Sequence, residues 1–235
     1  MENIQLGIHH LPYEALNHAS YLEEYIYPDS HKNYYWSDDF SAEYYIAQAK
    51  AGFIAVTDVY EEQEFLLPEI QFSYALLDFN NLHISKKVHK RIQTQKLHIE
   101  IDNNLEELAE YINKSYKDSW LTQRYIQTLR ATEGLDSNFK VMTVYIEAEG
   151  EMVAGEIGYI IGKTYTSLSG FSSKEKKYRN YGTTQLVLLA QYLQEHGFAF
   201  WNLGQPYMDY KVALGAKIYE REIFLERWSK AIGTP

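Results

Sequence analysis

The sequence predicts an α/β (α+β) protein. A mixed, mainly antiparallel sheet flanked by helices is expected over residues 66–235, behind a small N-terminal subdomain at 1–65. Three observations point there. Strand-like stretches follow one another at 139-FKVMTVYIEA-148, 151-EMVAGEIGYIIG-162 and 164-TYTSLSGFS-172, with Glu149-Gly150 and Gly162-Lys163 at the turns. Helical patterns precede and follow them. The apolar share is 46% of 235 residues, enough for a sizeable core.

In chain order, 38-DDFSAEYYIAQAKAGF-53 reads as a helix capped by Asp39 or Ser41 and ended by Gly52 in a left-handed turn. The acidic stretch 60-YEEQEFLLPE-69 reads as a loop and a domain boundary. A strand is expected at 73-SYALLDF-79. A helix follows at 83–95, with Ile84, Val88 and Ile92 on one face. The alternation 97-LHIEI-101 predicts a strand. Asp102 is placed to cap a helix at 103–116 that carries Leu105, Leu108 and Ile112. Thr122 and Gly134 bracket another helix. After the three strands come a helix at about 182–196, stopped by Gly197, and a strand at 198-FAFWNLG-204. A short helix at about 207–213 and a strand at 217-KIYEREIFLER-227 complete the reading.

Composition removes several chemistries. With no Cys, disulfides, thiolate nucleophiles and Cys-based zinc sites are excluded. None of the eight His has metal-ligand spacing, and adjacent His9 and His10 point apart, so no metal site is expected. No Ser-His-Asp triad can be argued. The start, MENIQLGIHHLPYEA, shows no secretory pattern, and no run of about 18 apolar residues occurs. A soluble cytoplasmic protein with no membrane partner is the expectation. A net charge of −10 argues against gripping a long duplex. Two local basic patches remain, 86-KKVHKR-91 and 174-KEKKYR-179, each either a solvated face or an anion site. The 22 Tyr residues suit packing or the wall of a wet cleft.

The stretch Arg179-Asn180-Tyr181-Gly182-Thr183-Thr184 opens the helix near 182. Free amides at a helix start, with the dipole behind them, favour anions. A plain helix entry is the other reading. Together with the element order, this loop resembles the GNAT acyltransferase superfamily, whose Gln/Arg-x-x-Gly-x-Gly/Ala loop binds the pyrophosphate of acyl-CoA. Arg179 and Gly182 match that pattern, and Thr184 replaces its last small residue. The resemblance implies donor contacts from Arg179, Tyr181, Gly182 and Thr183, with acetyl-CoA or another acyl-CoA as co-substrate.

A narrower resemblance covers most of the chain. Six blocks, 34–56, 79–92, 119–129, 152–162, 169-SGFS-172 and 205-QPYMDYKVALGAK-217, are similar in order to leucyl/phenylalanyl-tRNA–protein transferases. That family moves an amino acid from its tRNA onto the N-terminal amine of a protein and uses no cofactor. The resemblance implies donor contacts from Trp120, near the tRNA 3′ adenosine, and from Ser169 and Phe171. The chain departs from the family where a Glu before the Ser-x-Phe-Ser block is Leu168, and where an Asp two residues before Gln205 is Leu203.

Acyl transfer to an amine needs a held ester or thioester, donors for the carbonyl oxygen and a proton acceptor. Gln205 is the expected polar contact to the reacting centre, or else a loop residue satisfying backbone groups. Asn202 is placed to orient the amine, or simply ends a strand, and its amide cannot serve as a base. The amine proton leaves through water, Glu156 or Tyr210. Alternation leaves Glu156 free to face the cleft or solvent, with solvent slightly favoured. The expected function is aminoacyl transfer, Leu- or Phe-like, from an aminoacyl-tRNA 3′ end to a protein or peptide N-terminus. An acyl-CoA-dependent N-acyltransferase is the alternative, and a non-catalytic binding module on the same fold is the second.

Overall fold

The computed structural model describes residues 8–233. The N-terminal part holds β1 (His9–His10), α1 (Tyr13–Leu16), α2 (Ala19–Tyr21), β2 (Tyr35–Trp36), α3 (Ala42–Lys50), β3 (Ile54–Tyr60) and β4 (Gln63–Glu69). Then come β5 (Ser73–Leu77), α4 (Lys86–Gln95), β6 (Glu100–Asp102), α5 (Leu105–Ser115) and α6 (Gln123–Ala131). The last part holds β7 (Phe139–Ala148), β8 (Glu151–Ile161), β9 (Thr164–Ser172), α7 (Tyr181–Glu195), β10 (Phe200–Asn202), α8 (Asp209–Leu214), β11 (Lys217–Glu220) and α9 (Arg221–Ile232). Seven strands form the main sheet in the order β11-β5-β10-β9-β8-β7-β6. All neighbours are antiparallel except β9 and β10. The expected mixed, mainly antiparallel sheet flanked by helices is present.

Local chemistry explains the element ends. Ser41, Ser85 and Thr122 each accept a backbone N–H at a helix start, from Tyr44, Val88 and Tyr125. Asp102 does not cap α5. Asn104 holds that position, and Asp102 instead accepts the Asn104 N–H at 2.9 Å. The β7–β8 turn places Glu149 at φ 56° and Gly150 at φ 82°, the two left-handed residues that a tight hairpin needs.

Two stretches differ from expectation. Residues 60–69 are not a loop: Glu61 and Glu62, both left-handed, turn a hairpin in which β3 pairs with β4 from Ile54↔Glu69 to Tyr60↔Gln63. A boundary at 65/66 therefore falls inside β4, and Leu11, Tyr44 and Phe53 share one core with Ile157, Phe224 and Trp228. The strand expected at 217–227 stops at Glu220, where α9 begins. Phe224 and Trp228 are one helical turn apart, and Phe224 stacks on Tyr74 with ring centroids 3.6 Å apart. That periodicity outweighs the local alternation.

Arg221 locks this junction. Its guanidinium, 6% exposed as a residue, donates to the carbonyls of Gln71, Ile70, Ile26, Tyr27, Asp29 and Lys32. It ties the N-terminal segment and the β4–β5 connection to α9. Removing it orphans several buried acceptors. Arg221→Ala is expected to lower unfolding free energy by at least about 3 kcal/mol, and Arg221→Lys to recover only part of it, measured by urea denaturation. Unchanged urea midpoints in both variants would remove Arg221 from this role.

Candidate active site

The sheet opens in its middle. Parallel β9 and β10 pair only through Thr164↔Phe200, Tyr165↔Trp201 and Thr166↔Asn202. Beyond that point β10 ends, while β9 runs on to Ser172 against β8 alone. Asn202 Oδ1 accepts the Gly204 N–H at 2.9 Å, and Gly204 turns at φ 72°, which carries the chain away from the sheet. A cavity of about 510 Å³ lies in the gap. Its walls are β9 from Ser167 to Ser172, Gly155 and Glu156 of β8, the first turn of α7, the α5–α6 connection at Trp120, and Leu203, Met208, Tyr210 and Lys211.

A bulge aims β9 into this space. Gly158 pairs with Ser167 and Ile157 with Ser169, so Leu168 is an extra residue without a partner. Strict alternation would send Ser167 and Ser169 to one face and Leu168 to the other. With the bulge, all three line the cavity.

Glu156 forms a buried polar centre, 4% exposed. Tyr165 and Ser167 hydroxyls donate to its Oε1 at 3.0 and 2.8 Å, and the Gln185 amide donates to Oε2 at 3.3 Å. Burial pushes its pKa up to about 6, against those three donors and the charge of Lys211, which pull it down. Gly158 makes the Tyr165 contact possible, because a Cβ there would sit 2.3 Å from the Tyr165 hydroxyl. The slight preference for a solvent-facing Glu156 is thus corrected: β8 is covered on both faces, and the side chain turns into the cavity.

Lys211 was not singled out from sequence. It is 4% exposed, lines the same cavity, and donates to the carbonyls of Leu203 and Gln205 at 2.5 and 2.7 Å. Burial draws its pKa down to about 8, against the opposing charge of Glu156. Its neighbours Asp209 and Tyr210 read as an ordinary polar helix start, so only the fold reveals its burial.

The structure brings Glu156, Trp120, Ser169, Phe171, Gly182 and Thr183 to the cavity. It does not bring Gln205, Asn202, Arg179 or Tyr181 to its walls. Gln205 Nε2 donates to Glu69 at 2.9 Å and to the Tyr34 hydroxyl at 3.2 Å, tying its loop to β4 and the N-terminal segment. Asn202 is 1% exposed and occupied by its turn and by Thr166. Arg179 is exposed. Tyr181 is buried under Arg91, whose guanidinium sits 4.8 Å from the ring centroid. Tyr210 lines the cavity with its pKa pushed up to about 12 by burial, so its hydroxyl stays protonated near neutral pH.

The α7 start is a helix entry with no side-chain cap, led by Asn180 at φ 72°. Gly182 has a packing reason as well: a Cβ there would lie 2.9 Å from the Ser172 Cβ. A larger residue at 182 would therefore disturb the helix–strand contact.

The family model for leucyl/phenylalanyl-tRNA protein transferases matches residues 76–229, about two thirds of the chain. The chain belongs to that family. Every cavity-lining residue falls inside the matched stretch, whereas the block at 34–56 lies outside it. A leucyl/phenylalanyl-tRNA–protein transferase of Maridesulfovibrio salexigens is 24% identical over 164 residues, covering 68% of this chain and 65% of that protein. Among solved structures, FemX matches with a TM-score of 0.44 at 10% identity, over 63% of this chain and 59% of that one. L-PGS from Bacillus licheniformis matches with a TM-score of 0.40 at 14% identity, over 65% and 46%.

The acidic positions of the family pattern, Leu168 and Leu203 here, both line the cavity as apolar wall. The buried carboxylate in this cavity is Glu156 of β8, and the exposed Asp118 stands at its wall. Tyr165→Phe removes a donor that holds Glu156 ionised, so its pKa is expected to rise above about 6 and its carboxylate form to be lost at a higher pH. A ¹³C-carboxyl NMR titration reads this directly. A midpoint that stays put or falls would show that the hydroxyl does not hold the carboxylate.

Proposed function

We propose that this protein transfers an amino acid, Leu- or Phe-like, from aminoacyl-tRNA to the N-terminal amine of a protein or peptide. The observation that carries the reading is the cavity at the β9–β10 gap, with buried Glu156 inside the family-matched stretch. The aminoacyl side chain fits the apolar wall of Leu168, Phe171 and Leu203. Trp120, half-buried in the wall, offers a stacking face for the terminal adenosine. Glu156, ionised above about pH 6, takes the proton that the attacking amine must lose, directly or through one water.

Surface charge supports a nucleic-acid donor. Lys86, Lys87 and Lys90 are exposed on α4. Arg91 of that helix lies over Tyr181, which also meets Tyr178 edge-on at 5.5 Å and donates its hydroxyl to Gln95. Segments 86–91 and 174–179 therefore meet at the start of α7, beside the cavity. Arg91 adds its charge to this meeting point, with its guanidinium 4.8 Å from the Tyr181 ring centroid.

The acyl-CoA alternative rests on one observation, the uncapped α7 turn that reaches the cavity at Gly182 and Thr183. Radiolabelled leucyl- and phenylalanyl-tRNA, offered with an Arg- or Lys-started peptide, separate the two. Labelled peptide is expected, and Glu156→Gln is expected to slow its formation by about 10²-fold or more. Folded protein that leaves both tRNAs untouched but acetylates the peptide from acetyl-CoA would overturn the aminoacyl reading. Inertness toward all three donors would leave the binding-module reading.

A further inference from the structure

Two cations, Arg221 and Lys211, are buried in this chain, and neither forms an ion pair among the described residues. Both are held by backbone carbonyls, but to different extents. A guanidinium has five N–H groups, and Arg221 spreads its five over six carbonyl oxygens far from the cavity. An ammonium has three N–H groups, and Lys211 gives hydrogen bonds to only two carbonyls. Its Nζ is 5.9 Å from the Tyr210 ring centroid, a long cation–π contact that leaves the third N–H without a hydrogen-bond acceptor. Arg221 is saturated. Lys211 has one N–H to spare, and it stands in the wall of the cavity that holds Glu156.

We propose that Lys211 is the general acid of the transfer, giving the proton of its unused N–H to the ribose oxygen as that oxygen leaves the acyl carbon. The proposal rests on the aminoacyl transfer proposed above. The chemistry balances without any further reagent. The acceptor nitrogen forms a bond to the acyl carbon, and the amine proton passes to the Glu156 carboxylate. The ester C–O bond breaks, its electron pair stays on the ribose oxygen, and the Lys211 ammonium protonates that oxygen. Glu156, now a carboxylic acid, returns a proton to the neutral Lys211 amine across the cavity, which restores both groups. An alkoxide is a poor leaving group, so a positioned acid acts on the bond that is hardest to break.

The surroundings suit the two roles. The titratable groups that share the cavity with Lys211 are Glu156 of β8, hydrogen-bonded by Tyr165 of β9, Tyr210 on its own helix, and Asp118 and Tyr116 from the α5–α6 connection. Burial moves the pair toward neutrality from opposite sides, Glu156 up to about 6 and Lys211 down to about 8. Between those values the base is ionised and the acid protonated. The rate should fall below about pH 6, where Glu156 is protonated, and above about pH 8, where Lys211 is neutral.

Single-turnover transfer from aminoacyl-tRNA, followed against pH for the unaltered protein, Lys211→Met and Lys211→Arg, tests this. Lys211→Arg keeps donors for the two carbonyls but cannot release a proton, so it remains informative where Lys211→Met fails to fold. The expected result for Lys211→Arg is a cooperative thermal transition and a KM for the tRNA within about threefold of the original. Its rate falls by about 10²-fold, and the alkaline limb disappears. A Lys211→Arg protein with full rate and an intact alkaline limb would reduce Lys211 to a loop tie. An unaltered protein that transfers from no aminoacyl-tRNA would overturn the parent reading, and this proposal with it.

Discussion

A sheet that opens in its middle must satisfy the backbone groups that the opening exposes, and the rest of this structure depends on how that is done. Beyond Thr166↔Asn202 the two parallel strands part, and every group at the parting needs a new partner. Leu203 N–H donates to the Ala75 carbonyl, and Ala75 N–H donates to the Gly204 carbonyl. Asn202 takes the Gly204 N–H, and Lys211 takes the carbonyls of Leu203 and Gln205. On the β9 side, the Tyr116 hydroxyl donates to the Gly170 carbonyl at 2.9 Å. These substitutes take up several of the backbone groups that the opening exposes, and they hold the two strand ends apart around the cavity.

The same device shapes the electrostatics. A cation held by carbonyl dipoles keeps its charge without being neutralised by a carboxylate, and a carboxylate held by hydroxyls and an amide does the same. Lys211 and Glu156 thus influence each other across the cavity without collapsing into a contact ion pair. Leucines at 168 and 203 sharpen this, since apolar walls lower the local dielectric and lengthen the reach of each charge. The two positions that are acidic in the family pattern, Leu168 and Leu203, are apolar wall here, and Glu156 stands on β8, one strand across from Leu168.

Much of this was legible in the sequence where local chemistry decides structure. Ser41 and Thr122 announced their helix starts, Glu149-Gly150 its hairpin, and the run from 139 to 172 its three strands. Legibility failed where tertiary contact overrides the local pattern. The stretch at 217–227 alternates enough to read as a strand, but Phe224 and Trp228 need one helical face to reach Tyr74 and Phe200. Glu61-Glu62 lacks the Gly or Asn that marks a tight turn, so the β3–β4 hairpin read as a loop. At the site, Trp120, Ser169 and Phe171 came from resemblance, and Glu156 from its place on a central strand. Gln205 seemed to belong at the reacting centre because it follows a strand end, yet its amide turns outward to Glu69. Lys211 carried no signal at all. Its burial follows from the parting of β9 and β10, which no pattern within 209–214 shows.

The net charge of −10 illustrates the difference between a sum and a field. Screening confines exposed charges to roughly 8–10 Å at physiological salt, so a phosphate at the start of α7 senses its surroundings rather than the total. Those surroundings are Arg91, the lysines of α4 and the uncapped amides of the helix. Lys177 is partly spent, paired with Glu149 at 2.6 Å, while Lys174, Lys176 and Arg179 of the same segment stay exposed beside α4. A helix start and a basic helix laid against it through Tyr181 make the mouth of the cavity positive, while the cavity itself holds both signs, Glu156 and Asp118 with Lys211.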